Sequence, residues 1–273
     1  MNTIKSFCAI LCASVFLYAC DKSSEHTYTL KVGTVAGPET QLMEAARDLA
    51  LKNSNLKIEI VTFDDYILPN TALADGLIDA NAMQTEHYFR KVVKETGYDL
   101  VNVGYTFIYP VGIYSSRYKN INDLPQGAQI AIPNDVSNEP RCLQVLAQAG
   151  LITLSDTPAG SDFSTIDIQE NPKSLQIILI DAAQLPRMLH DVDAAIINTN
   201  FALPAGLLPS RDAIFVEKVN PLYANIITVR KGFETDPRVK VLVAAYQSDE
   251  VVALAEKLFE GQAIPAWKFL GDR

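Results

Sequence analysis

Hydrophobic and polar positions alternate from residue 28 onward. Tyr28, Leu30 and Val32 interleave with Thr29 and Lys31, the period of two that turns one face of a strand to a core. Gly37-Pro38 turns the chain, and Leu42, Ala46, Leu49 and Ala50 follow at helical spacing. The pattern then predicts a strand over 57–63 (KIEIVTF), a helix over 69–77 closing near Gly76, a short buried strand over 78–83, and a helix over 86–96 stopped by Gly97. Residues 100–115 (LVNVGYTFIYPVGIYS) break the rhythm. They form one nearly continuous extended run, longer than a usual strand and interrupted by Pro110, and read as a crossover between two lobes.

Beyond that run the alternation restarts, with a strand over 129–133, a helix over 140–149 stopped by Gly150, a strand over 176–180, a helix over 182–190 and a strand over 193–198. A second extended run, 224–230 (ANIITVR), leads back to the first lobe. Two helices follow, one opened by Asp236-Pro237 and one by Ser248-Asp249-Glu250 and ending at Gly261. Strands alternating with helices predict an α/β fold with a mainly parallel sheet and helices on both faces. The expected organisation is lobe 1 over 28–108 plus 227–273 and lobe 2 over 109–226, joined by two extended segments that form a hinge with a cleft between them.

Residues ahead of 28 read differently. The apolar stretch 7–19 is too short for a bilayer-spanning helix, and Leu17-Tyr18-Ala19-Cys20 closes it like the lipobox of a bacterial lipoprotein signal. Residues 1–19 are therefore expected to be a cleaved signal, Cys20 the lipidated first residue, and 20–27 a polar tether. Asp21 after the cysteine resembles an inner-membrane retention signal. The expected location is the cell membrane, lipid-anchored, facing periplasm or cell exterior.

Processing would leave 254 residues, 22 basic and 32 acidic. That acidity argues against nucleic acid and against electrostatic attachment to anionic lipid, and fits a monomer. Cys142 would be the one remaining cysteine, a small hydrophobe without a disulfide partner. The sequence holds only His26, His87 and His190, and no H-E-x-x-H, G-x-S-x-G, P-loop or G-x-G-x-x-G pattern. Neither an enzyme nor a cofactor or metal site is expected.

In open α/β sheets ligands bind beyond the carboxyl ends of the strands. That rule selects Tyr66 after 57–63, Gln84 after 78–83, Asn134 and Asn138 after 129–133, and Asn198 at the end of 193–198. Capping of the next helix is an equal reading for Asn134 and Asp135. Arg141 lies in the first turn of its helix, where a cation is unfavourable unless an anion meets it; a ligand carboxylate or a structural Asp or Glu would supply that charge. Asn198 and Asn225 have amide oxygens suited to an α-ammonium, and Tyr66, Tyr88 and Met83 are suited to an apolar wall, although such residues are also ordinary core.

The chain resembles the NlpA/MetQ family, the methionine-binding lipoproteins of bacterial ABC importers. The resemblance is carried by Val61-Thr62-Phe63-Asp64-Asp65-Tyr66, Leu68-Pro69-Asn70, Asp79-Ala80-Asn81-Ala82, Pro133-Asn134-Asp135 with Asn138 and Arg141, Glu170-Asn171-Pro172, Gln184-Leu185-Pro186-Arg187, Ile197-Asn198-Thr199 and Ala245-Tyr246-Gln247-Ser248. It implies a two-lobed periplasmic-binding-protein fold of type 2, with two crossover segments, and delivery of an amino acid, L-methionine, to a membrane permease with a cytoplasmic ATPase. It also implies that Arg141 pairs with the ligand carboxylate with Asn138 beside it, that Asn198 and Asn225 hold the amino and carboxylate groups, and that Tyr66 and Tyr88 line the side-chain pocket. Methionine binders of the family place an aromatic and then a histidine where this chain has Met83 and Thr85 around Gln84; His87 follows two residues later. The altered wall leaves a methionine derivative, a short peptide or another apolar amino acid open as ligand, and a non-transport structural lipoprotein as the other class.

Overall fold

The computed structural model describes residues 28–156 and 163–271. The expected signal 1–19, the lipidation site Cys20 and the tether 20–27 lie outside the described residues, as does His26.

The chain begins with β1 (Thr29–Val35), α1 (Pro38–Ser54), β2 (Lys57–Phe63), α2 (Leu68–Ala74), β3 (Ala80–Thr85), α3 (Glu86–Thr96) and β4 (Leu100–Ile108). The second lobe holds β5 (Gly112–Tyr114), β6 (Gln129–Pro133), α4 (Asn138–Gln148), β7 (Thr153–Leu154), β8 (Ile168–Glu170), β9 (Gln176–Ile180), α5 (Leu185–Met188), β10 (Ala194–Ile197), α6 (Thr199–Ala202), α7 (Pro209–Asp212) and β11 (Ala213–Val216). The return adds β12 (Ala224–Arg230), α8 (Pro237–Tyr246), α9 (Asp249–Leu258), β13 (Ile264–Pro265) and α10 (Trp267–Leu270).

Local signals account for the element ends. Pro38 opens α1 at a position whose N–H is unneeded, and Asn55 closes it in the left-handed region. Thr85 caps α3 by accepting from Tyr88 N, and Gly97 ends it at φ 72°. Asp236 and Ser248 cap α8 and α9 as their sequence suggests. The expected 182–190 helix is shorter: a 3₁₀ turn over Ala182–Gln184 passes into α5, because Pro186 offers no N–H to continue one regular helix. Among the described residues no helix is long and apolar enough to cross a membrane.

Two sheets organise the lobes. The first has strand order β13-β4-β12-β3-β1-β2, the second β11-β5-β10-β6-β9. The expectation of a mainly parallel sheet is corrected for both: in the second, β6 is parallel to β9 and β10 while β5 is antiparallel to β10 and β11, and the first is mixed as well. β1 is parallel to β2 and β3, whereas β12 is antiparallel to β3 and β4, and β13 to β4. In the first sheet the cause is the crossover itself: the outgoing and returning runs lie side by side and travel in opposite directions. The expected boundary at 226/227 falls inside β12, where Ile226 opposes both Gln84 and Tyr105, so the return crossing ends before residue 224.

The core of lobe 1 packs β-sheet residues such as Leu30, Val32 and Phe107 against Leu42 of α1 and Tyr246 of α8. Lobe 2 buries both faces of its sheet, with Ile130 and Leu146 on one side and Ala131 and Leu185 on the other.

Candidate functional site

A small cavity of about 40 Å³ lies between the two sheets. Arg141, Asn138, Asn198, Asn225, Tyr66, Tyr88, Met83, Gln84 and Thr85 all line it, joined by Glu39, Tyr109, Thr199, Asn200 and Tyr223. The strand-end rule explains this convergence. Glu39 follows β1, Tyr66 follows β2, and Met83 to Thr85 close β3, while Asn138 and Arg141 follow β6 and Asn198 to Asn200 follow β10. Asn134 does not line the cavity; the N-cap of α4 is Ser137, and Asp135, two residues before it, ties the loop to the helix start through Oδ1, which accepts from Ser137 N and Asn138 N.

Three consecutive residues of one regular strand cannot face the same space. β3 manages it through a bulge: Ile226 pairs with Gln84 and Ile227 with Ala82, which leaves Met83 as the extra residue. Gln84 is then fixed from below. Its Oε1 accepts from Asn70 Nδ2 at 2.7 Å, and its Nε2 donates to Asn70 Oδ1, Asn81 Oδ1 and Thr228 Oγ1 at 2.8, 3.1 and 3.2 Å. Gln84 therefore forms floor, with its polar atoms committed inside lobe 1. Thr85 likewise spends its hydroxyl on the α3 cap.

The aromatic wall is tied together by hydrogen bonds. Tyr88 Oη donates to Tyr66 O at 3.1 Å, and Tyr66 Oη donates to Asn200 Oδ1 at 2.8 Å across the cleft. The Tyr66 ring stands 6.4 Å from Tyr88 and 5.3 Å from Phe201. Burial pushes the Tyr66 phenol well above its ordinary pKa.

Arg141 has found a structural acid. Its Nε donates to Glu217 Oε1 at 3.0 Å and its Nη2 to Glu217 Oε2 at 2.6 Å, with a further bond from Nη2 to Tyr109 O at 3.0 Å. The guanidinium also sits 4.3 Å from the centre of the Tyr223 ring. Burial opposes the charge, and Glu217 more than offsets it, so the guanidinium pKa is raised. Nη1 makes no hydrogen bond to a described residue and belongs to a side chain that lines the cavity.

The amides complete the polar inventory. Asn138 Nδ2 donates to Asp135 Oδ2 at 2.8 Å and its Oδ1 accepts from Asn198 Nδ2 at 2.9 Å. Asn198 Oδ1 and Asn200 Nδ2 are buried without a partner. Asn225 Nδ2 donates to Glu39 Oε1 at 2.9 Å. Glu39 is only 4 % exposed, and burial pushes its carboxyl up to about 8, outweighing the opposing effect of the Asn225 bond. Among the described residues no group of three or more His, Cys, Asp or Glu is arranged to hold a metal ion.

Two further contacts bind the lobes. His87 Nδ1 lies 3.0 Å from Ser137 Oγ, and Lys91 Nζ donates to Val136 O at 2.6 Å. The cleft is closed.

Sequence reasoning did not single out Glu39, Tyr109, Thr199, Asn200, Tyr223 or Glu217. The strand-end rule applied to β1 reaches Glu39, and applied fully to β10 it reaches Asn200. No local signal marks Glu217, which meets Arg141 across 76 positions of sequence.

A family model described as NlpA lipoprotein matches residues 30–267. The D-methionine-binding lipoprotein MetQ of Salmonella typhimurium is 43% identical over 267 residues, covering 96% of this chain and 98% of that protein. A periplasmic substrate-binding protein of an ABC transporter from Coxiella burnetii is 49% identical, with TM-score 0.83 over 86% of this chain and 99% of its own. A nutrient-binding protein from Burkholderia cenocepacia, solved bound to methionine, is 46% identical with TM-score 0.84 over the same shares.

Proposed function

The chain belongs to the NlpA lipoprotein family, and from that membership we propose that it is the extracytoplasmic substrate-binding lipoprotein of an ABC importer, not an enzyme, and that it captures methionine or a closely related amino acid. Its partner is a membrane permease with a cytoplasmic ATPase. The protein acts as a monomer, held to the membrane through lipid on Cys20 and facing away from the cytoplasm.

The observation that carries this reading is a set of unspent polar groups on residues that line one interlobe cavity: Asn200 Nδ2 and Asn198 Oδ1, buried without a partner, and Arg141 Nη1, which bonds no described residue. Arg141 Nη1 and Asn200 Nδ2 are donors suited to a carboxylate, and Asn198 Oδ1 is an acceptor suited to an ammonium. A buried polar atom without a partner costs free energy, so a ligand that supplies the missing partners is bound with that cost relieved. Met83 and the rings of Tyr66 and Tyr88 supply a polarisable apolar wall, which suits a thioether.

Capture proceeds by closure. A ligand entering the open cleft reaches Arg141 and Asn198 from lobe 2 and the Tyr66, Tyr88 and Met83 wall from lobe 1. It favours the closed state because only there does it touch both. The Tyr66–Asn200, His87–Ser137 and Lys91–Val136 contacts then hold the rim. The closed form is what the permease receives.

The test is to purify the protein natively, unfold it, and identify the released small molecule by mass spectrometry. Methionine in near-stoichiometric amount is the expected result. A different molecule released in that amount would replace methionine as the ligand.

A further inference from the structure

Glu39 is the one acid among the described residues lining the cavity, and it has no cation within its own surroundings. It enters from the first turn of α1, 4 % exposed, with a single hydrogen bond from Asn225 of β12. The titratable groups that face it are phenols: Tyr66 from the segment after β2, Tyr109 from the first crossing, and Tyr246 from α8. The one guanidinium of the site, on Arg141, is already engaged by Glu217. An ionised carboxylate so enclosed is costly, and the group escapes that cost by keeping its proton. Its carboxyl is accordingly pushed up to about 8.

We infer that Glu39 is the counter-charge for a cationic group on the ligand, and that seating this group drives the carboxyl proton into solvent. On the amino-acid reading above, on which this inference rests, that group is the α-ammonium. The step balances simply. The neutral carboxyl and the ligand ammonium become a carboxylate–ammonium pair; the O–H bond of Glu39 breaks, and its proton passes to buffer. No other ionisation in the cavity need change. Asn225, held against Glu39, then accepts from the same ammonium through its free amide oxygen. The ligand class is set accordingly: amines are accepted, and N-acylated amino acids, which bring no cation, are refused.

Two consequences are measurable. Below about pH 8 the affinity for an ammonium-bearing ligand rises with pH, by up to about tenfold per unit, because one proton leaves per ligand bound. The apparent binding enthalpy also depends on the ionisation enthalpy of the buffer.

The experiment is titration calorimetry of L-methionine and of N-acetyl-L-methionine into the full-length protein in detergent, freed of ligand by unfolding and refolding. It is run between about pH 6 and 7 in two buffers of different ionisation enthalpy, on the wild type and Glu39→Gln. The expected result is close to one proton released for L-methionine, no release and far weaker binding for the N-acetyl compound, and a pH-independent, buffer-independent enthalpy in Glu39→Gln. Tight L-methionine binding with no proton released, or with the same release in Glu39→Gln, would overturn the inference while leaving the importer reading intact. If the wild type refolds and binds L-methionine at no pH, the amino-acid reading fails and the inference falls with it. The wild-type measurements decide the question even where the variant does not fold.

Discussion

Arg141 and Glu217 form a buried pair whose value is context. Arg141 is 4 % exposed and Glu217 5 %, and the carboxylate also accepts from Val111 N at 3.2 Å. One ion pair thus ties α4 to both crossing segments, at Tyr109 and Val111 on the way out and at Glu217 on the way back. Removing Glu217 leaves a buried guanidinium alone, so Glu217→Ala is expected to lose about 3–5 kcal/mol of stability in urea denaturation. Arg141→Ala is expected to weaken ligand binding by about 2–5 kcal/mol, the range for truncating one side of a buried charge contact. Glu39 acts oppositely to a salt-bridged acid. Its folded pKa is raised, so between about pH 4.5 and 8 the native state holds a proton that the unfolded chain has lost. Stability of the ligand-free protein therefore falls as pH rises through that window, by at most about 1.4 kcal/mol per pH unit. Denaturation midpoints of ligand-free wild type and Glu39→Gln across those pH values would reveal this, with the variant expected to have the flatter profile. At this scale the sequence was only partly readable. It left open whether a ligand or a structural acid would face Arg141, and an acid 76 positions away leaves no local trace.

Among the elements, β3 and α3 supply much of the cavity wall from lobe 1. The bulge at Met83 turns a strand end into a three-residue rim, and the Thr85 cap starts the helix that presents Tyr88, His87 and Lys91. Replacing Thr85 with Ala removes the acceptor for Tyr88 N and is expected to cost about 1 kcal/mol of stability, measurable by denaturation. Threonine and methionine around Gln84 stood out in the sequence as departures from the family, and both line the cavity. What period alone could not yield was the bulge, because it depends on register against β12, a strand more than a hundred residues later. Elements with strong local punctuation were legible to the residue: β2, α3, β6, β9 and β12 have the bounds their patterns predict. The short pieces β7, β8, β11 and β13 were not, since two to four residues hold too little periodicity to rise above loop.

For the whole molecule, two long extended runs in an otherwise regular strand–helix rhythm were enough to reveal two lobes and a hinge. The mixed character of both sheets was not, because the adjacency of β4 with β12, and of β5 with β10 and β11, follows from how distant parts of the chain close on one another. Closure joins pairs drawn from far apart in sequence: Tyr66 with Asn200, His87 with Ser137, Lys91 with Val136. All three contacts run between the two lobes, across the cavity or its rim. The most direct measurement is calorimetric titration of L-methionine into ligand-free protein, wild type beside Arg141→Ala. A cleft built for an amino acid predicts tight binding at one site in the wild type and a strong loss in the variant. No heat from well-folded wild type, or equal affinity in the two proteins, would contradict it.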